Sequence, residues 1–375
     1  MKMIRHNRKW IIIGIIGLIL VYLVLKFFSN PTYIIVGDRV LMNTLSIDGT
    51  HEAITDMEDK EEYDDAAALA KWIVKNAKTS DDKINGYFRL AEIAYQIDNP
   101  MMEEYYANLA LKSIDNKTSE IMKKVAYYTK AVAIAQRSWK LGEIERMKES
   151  IDWFEKSLKI NDPINFKDTW HFNTEAYYGL AQIYLEAYGD YRKALKYIEK
   201  FLELVKEDKE NSFLDNYIEL LSYSGNCYYE LGMKDKLREV YSIWKKNYPK
   251  YKDYFKNYKF QLKKLEFFNK LIDGKYKEAE EIMKKEDPDY LGIYYYRKVG
   301  DIEKGKKALI GFGKSNIQLY PFPLFQRWVK EFKLSEKEKK ELEVMWKRWV
   351  EENRKRCLNT NVLRSDKEIA KRGWR

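Results

Sequence analysis

At 375 residues the chain is long enough for one large domain or a repeat array, and its 45% hydrophobic content can fill a sizeable core. The net charge of +10 comes from lysines spread thinly along the sequence, which marks out no nucleic-acid-binding patch. Cys227 and Cys357 are far apart and form no CxxC pair, and His6, His51 and His171 have no partners at metal-ligand spacing, so neither a disulfide framework, a metal site nor a cofactor is expected.

Residues 1–9 carry Lys2, Arg5, Arg8 and Lys9 and no acid. Residues 10–28, WIIIGIIGLILVYLVLKFF, are apolar apart from Lys26, which can snorkel to the interface. As a helix they would span about 28 Å, close to the hydrocarbon thickness of a bilayer. The run is longer than a signal-peptide core, and FFSNPTY offers no small-x-small cleavage site. The segment therefore reads as an uncleaved signal anchor in the cytoplasmic membrane. The basic flank keeps residues 1–9 in the cytoplasm and sends the body outside.

Residues 29–60 read as a membrane-proximal linker. Its β-branched residues flank Gly37-Asp38, as in a hairpin, but an extended spacer would use the same residues. From residue 61 the pattern is helical. Ala66, Leu69, Ala70 and Ile73 recur at three- and four-residue steps. Asn99-Pro100 signals a helix start, and glycines or Asn/Asp-Pro pairs separate the later helices.

These helices come as tandem pairs. In residues 220–250, Gly225, Tyr228, Gly232, Leu237, Tyr241, Trp244 and Pro249 fall at the offsets of the tetratricopeptide repeat, which the segment resembles. Residues 177–204 look like another copy, with Leu180, Ala181, Tyr184, Gly189 and Ala194, and one extra residue before the turn. Gly274, Tyr276, Ala279 and Met283, then Tyr296, Gly300, Gly305, Leu309 and Phe312, supply two more. The resemblance covers about 61–315 and implies an all-α, tetratricopeptide-like helical-repeat solenoid behind one transmembrane helix. Its glycine-to-glycine spacings of 43, 42 and 26 residues depart from the family's length of about 34, so regular curvature is not implied.

Ala308 to Ser315, ALIGFGKS, matches the phosphate-binding loop pattern. That loop follows a strand and opens a helix, whereas this stretch closes one, with Gly311 and Gly313 read as terminators. On the outer side of a membrane it would also lack nucleotide, so no nucleotide is expected. Residues 316–358 hold two further helices, read as the caps that a solenoid needs. One has Phe325, Trp328, Val329 and Phe332 on one face. The other opens with Ser335 and Glu338 at capping-box spacing and carries Leu342, Trp346, Trp349 and Val350. Residues 359–375 form a basic tail.

Acidic runs such as KEEYDD and KKEDPDY read as solvated helix faces, and no nucleophile–base set is visible, so an enzyme is not expected. In residues 245–264, lysines interleave with tyrosines. Tyr251, Tyr254, Phe255, Tyr258, Leu262 and Leu265 keep helical spacing, which gives a packing helix with most lysines on its other face, and no nucleic-acid surface. The family resemblance implies a groove lined by the first helix of each pair and used for peptides or partner helices. Carried over, it comprises Tyr178, Gln182 and Glu186 in one unit, Asn226, Tyr229 and Glu230 in the next, and Tyr294 and Arg297 in the last. Ser222 stands where members that clamp a C-terminal carboxylate have a lysine, and so argues against that subclass. The functional expectation is a membrane-tethered scaffold that binds partner proteins outside the cytoplasmic membrane, during envelope assembly, secretion or folding. The alternative is a module binding an acidic surface polymer or anionic lipid through its basic faces.

Overall fold

A computed structural model describes residues 33–36, 39–42, 54–55, 57–161, 166–206, 213–251 and 258–359. The expected anchor at 10–28, the basic segment before it and residues 360–375 lie outside the described residues. Among the described residues no helix is long and apolar enough to cross a membrane. In the linker, β1 (Tyr33–Val36) and β2 (Arg39–Met42) pair antiparallel, with Tyr33 opposite Met42 and Val36 opposite Arg39. From residue 54 every regular element among the described residues is helical.

The chain divides into two compact units between Met122 and Lys123. The first contains α1 (Tyr63–Asn76), α2 (Ser80–Gln96) and α3 (Pro100–Lys112). Ala66, Leu69, Ala70 and Ile73, the stripe expected from spacing, are all fully buried. Thr79 and Asp82 form a capping box at the start of α2, and Asn99 accepts from the Met102 amide ahead of Pro100 in α3. The helix start marked by Asn99-Pro100 is thus where the sequence places it.

The boundary falls within α4 (Glu120–Leu141), which runs on into the second unit. There follow α5 (Met147–Leu158), α6 (Phe166–Gln182), α7 (Tyr191–Val205), α8 (Leu214–Glu230) and α9 (Lys234–Tyr251). The unit is completed by α10 (Tyr258–Ile272), α11 (Tyr276–Glu286), α12 (Tyr290–Val299), α13 (Ile302–Ser315), α14 (Pro323–Glu331) and α15 (Glu336–Asn359). Neighbours in sequence pack in pairs: α6 with α7, α8 with α9, α10 with α11, α12 with α13. The first helices of the pairs also touch one another in the order α6, α8, α10, α12. They form one inner layer, the arrangement of a helical repeat. Gly232 and Gly300 turn one helix into the next at φ of 70° and 79°, the left-handed region that favours glycine. At Gly225 a methyl group would collide with Leu265, so α8 and α10 approach closely because that residue has no side chain. Cys227, beside it, is fully buried, and burial pushes its thiol up to about 12.

Three findings refine the sequence reading. First, the extra residue before the turn at Gly189 is absorbed by a π-helical turn, Ile183–Tyr188, between α6 and α7. A wider i→i+5 turn takes up one residue without breaking the helix. Second, α13 continues through Gly311 and Gly313 to Ser315, so those glycines do not terminate it. They are small because neighbours crowd them: a Cβ at Gly313 would meet Phe325 at 2.8 Å, and one at Gly311 the Asp289 carboxyl at 2.5 Å. The ALIGFGKS stretch is therefore regular helix. Third, α14 and α15 do more than cover α13. The Arg327 guanidinium donates to the Tyr188 and Gly189 carbonyls at 2.9 and 3.1 Å, and Phe322 packs on Trp139 at 4.3 Å. These contacts carry α14 across the inner layer to the π turn. Phe325, Trp328, Val329 and Phe332 are buried there, and the Ser335–Glu338 capping box opens α15 as its spacing requires.

Candidate functional site

The inner layer collects the expected groove residues because each helix repeats its polar and aromatic positions every three or four residues. From α6 and the π turn come Tyr178, Gln182 and Glu186. Along α8 lie Glu219, Ser222, Tyr223, Asn226 and Glu230. From α10 come Gln261, Lys264 and Phe268, and from α12 Tyr290, Tyr294 and Arg297.

Two polar networks result. In the first, the Tyr178 hydroxyl donates to Glu219 Oε2 at 2.6 Å. The Tyr223 hydroxyl lies 2.6 Å from Glu219 Oε1 and 2.7 Å from Glu186 Oε1, while Gln182 Nε2 donates to Glu186 Oε2 at 3.3 Å. One phenol has one proton and cannot donate to two carboxylates at once. Its single proton is therefore shared between Glu219 Oε1 and Glu186 Oε1, both of them acceptors. Burial raises the pKa of Glu186, and the hydrogen bonds from Tyr223 and Gln182 oppose that rise. In the second network, Arg297 pairs with Glu230, lies 3.8 Å from Glu331 of α14, and covers the Tyr294 ring at 5.3 Å. Tyr229 stacks on Phe268 at 4.6 Å, and Tyr294 meets Trp328 of α14 edge-on at 6.1 Å. Asn226 donates to the Tyr290 hydroxyl at 3.1 Å.

The structure therefore brings the expected residues onto one layer. Most of them bond to other parts of the same chain. Asn226 and Tyr294 are buried, and α14 lies over this face. Between α14 and the inner helices is a half-enclosed cavity of about 400 Å3. Glu186, Asn226 and Tyr294 line it, together with residues that sequence reasoning did not select: Tyr223, Gln261, Lys264, Tyr290 and Trp328.

Lys264 is the clearest omission. The lysines of residues 245–264 were expected mostly on the outer face, but Lys264 is buried beside the cavity, 3% exposed. Its ammonium lies 5.9 Å from the Tyr223 ring centre and makes no hydrogen bond or ion pair among the described residues. Burial holds its pKa down to about 8, against the attraction of Glu186 and Glu219. A signal was available: position 264 is three residues from Gln261 and four from Phe268, on the apolar stripe that includes Leu265. Trp328 belongs to a helix that the sequence reads as a cap, and only the return of α14 brings it here.

No group of three or more His, Cys, Asp or Glu side chains among the described residues is placed to hold a metal ion. No family model matches the chain, and no curated protein matches it.

Proposed function

We propose that the second unit is a tetratricopeptide-like scaffold that binds partner proteins outside the cytoplasmic membrane, tethered there by residues 10–28, in envelope assembly, secretion or folding. The observation that carries this reading is the shared inner layer of α6, α8, α10 and α12, which places Tyr178, Tyr229, Glu230, Tyr294 and Arg297 together. Tyrosine and arginine offer large contact area and directed hydrogen bonds, which suits protein recognition. The chain's own α14 models the kind of ligand this face accepts: a helix with an aromatic residue against Tyr294 and, three residues on, an acid facing Arg297. A partner helix of that pattern would bind beside α14 or in its place.

In-cell photo-crosslinking from position 229 of the full chain, compared with position 344 on an exposed part of α15, tests this. One dominant protein adduct specific to position 229 supports a dedicated scaffold, and a spread of exported chains supports a tethered holdase. Identical adduct patterns from both positions would overturn the reading. Binding to anionic vesicles that collapses between low and moderate salt would favour the polymer or lipid alternative instead.

A further inference from the structure

The cavity beneath α14 is unusual in its polar accounting. Buried polar groups in folded proteins almost always have partners. Of the side chains that line this cavity, Asn226 Oδ1, Tyr191 Oη and Trp328 Nε1 are buried without a hydrogen bond among the described residues. Lys264, 3% exposed, also has no hydrogen bond or ion pair among the described residues. Gln261 adds a further donor. Its Oε1 accepts from Ser222 at 2.5 Å, which orients its amide nitrogen, and that nitrogen has no hydrogen bond among the described residues. Gln261 and Lys264 sit three residues apart on α10, on one side of the helix.

We propose that this cavity binds a small carboxylate with an apolar body and one polar N–H, a ligand with the chemistry and size of an aromatic amino acid or a dipeptide. The unpartnered groups set the chemistry. The Lys264 ammonium and the Gln261 amide are two donors for one carboxylate, and the hydroxyl and indole donors of Tyr191 and Trp328 can serve its remaining lone pairs. The Asn226 oxygen is the acceptor for the ligand's N–H. Phe260, Phe312, Phe325 and Leu319 supply the apolar wall for its body. The volume lies within the range of small-molecule sites, about 300–1,000 Å3. The ligand would touch both α10 and Trp328, so it would hold α14 against the inner layer. This site is separable from partner-protein binding: either can fail without the other.

The test is calorimetric titration of the full chain with L-phenylalanine, 3-phenylpropanoate and phenethylamine, in wild type and in Lys264→Met. L-phenylalanine and 3-phenylpropanoate should bind, the former more tightly, and phenethylamine, which lacks the carboxylate, should not. Lys264→Met should weaken both carboxylates by ~10-fold or more, because a buried charge-assisted contact is lost. The proposal is overturned if neither carboxylate binds, which would leave a cavity filled by water alone. It is also overturned if phenethylamine binds as well as they do, or if Lys264→Met binds unchanged. Should that variant fail to fold, the three-ligand series on wild type still decides.

Discussion

Replacing Lys264 by methionine should stabilise the protein, although it removes a buried polar group. The side chain is 3% exposed, and its folded pKa of about 8 lies below the 10.5 of the free side chain. At about 1.4 kcal/mol per tenfold change in proton affinity, the folded state loses about 3 kcal/mol at pH 7 by holding this ammonium. Methionine fills a similar volume and needs no solvation, so ligand-free Lys264→Met should gain about 1–3 kcal/mol. The sign of the pH dependence gives a sharper check. Below pH 8 both folded and unfolded chains keep the proton, and the penalty is complete. Between pH 8 and 10.5 the folded chain releases it first, the unfolded state binds more protons, and wild-type stability rises relative to the variant. Urea unfolding followed by tryptophan fluorescence at pH 7 and at pH 10 measures both effects. A variant less stable than wild type by more than about 1 kcal/mol, or a difference that does not shrink with pH, would refute the reasoning.

Other outcomes follow from the same physics. Tyr223→Phe removes the hydroxyl that links Glu186 and Glu219 and should cost about 2 kcal/mol in chemical denaturation. Glu186→Gln, which mimics the protonated acid, should stay within about 1 kcal/mol of wild type. Because burial raises the Glu186 pKa, wild-type stability should fall as pH rises above 4.5 through the folded value, and Glu186→Gln should flatten that slope. Glu175, raised to about 7 by burial, adds a decline of the same sign between pH 4.5 and 7, which Glu175→Gln should remove. Gly225→Ala drives a methyl group into Leu265 and should cost about 1–3 kcal/mol, read as a lower urea midpoint with an unchanged slope. Trp328→Ala should release α14 from the inner layer, seen as faster amide exchange over 323–331, with α8 and α10 protected as before.

Local chemistry was legible in the sequence. Asn99 with Pro100, and Ser335 with Glu338, cap the helices they precede, because capping satisfies backbone amides within four residues. Spacing identified the buried stripes of α1 and α14. Even the odd residue before Gly189 was visible as one too many, although its resolution as a π turn was not. Gly311 and Gly313 misled because glycine serves both as a terminator and as the floor of a tight contact, and only the neighbours Asp289 and Phe325 distinguish the two. The candidate site divides in the same way. The family resemblance put Glu186, Asn226 and Tyr294 on one layer, and each lies on the inner side of its own segment. Lys264, Trp328 and the proton shared through Tyr223 depended on tertiary structure, because no local rule tells a chain that α14 returns across more than a hundred residues to the π turn. Periodicity assigns each residue a face of its helix; only the packing of distant helices decides whether that face meets solvent, another helix or a cavity.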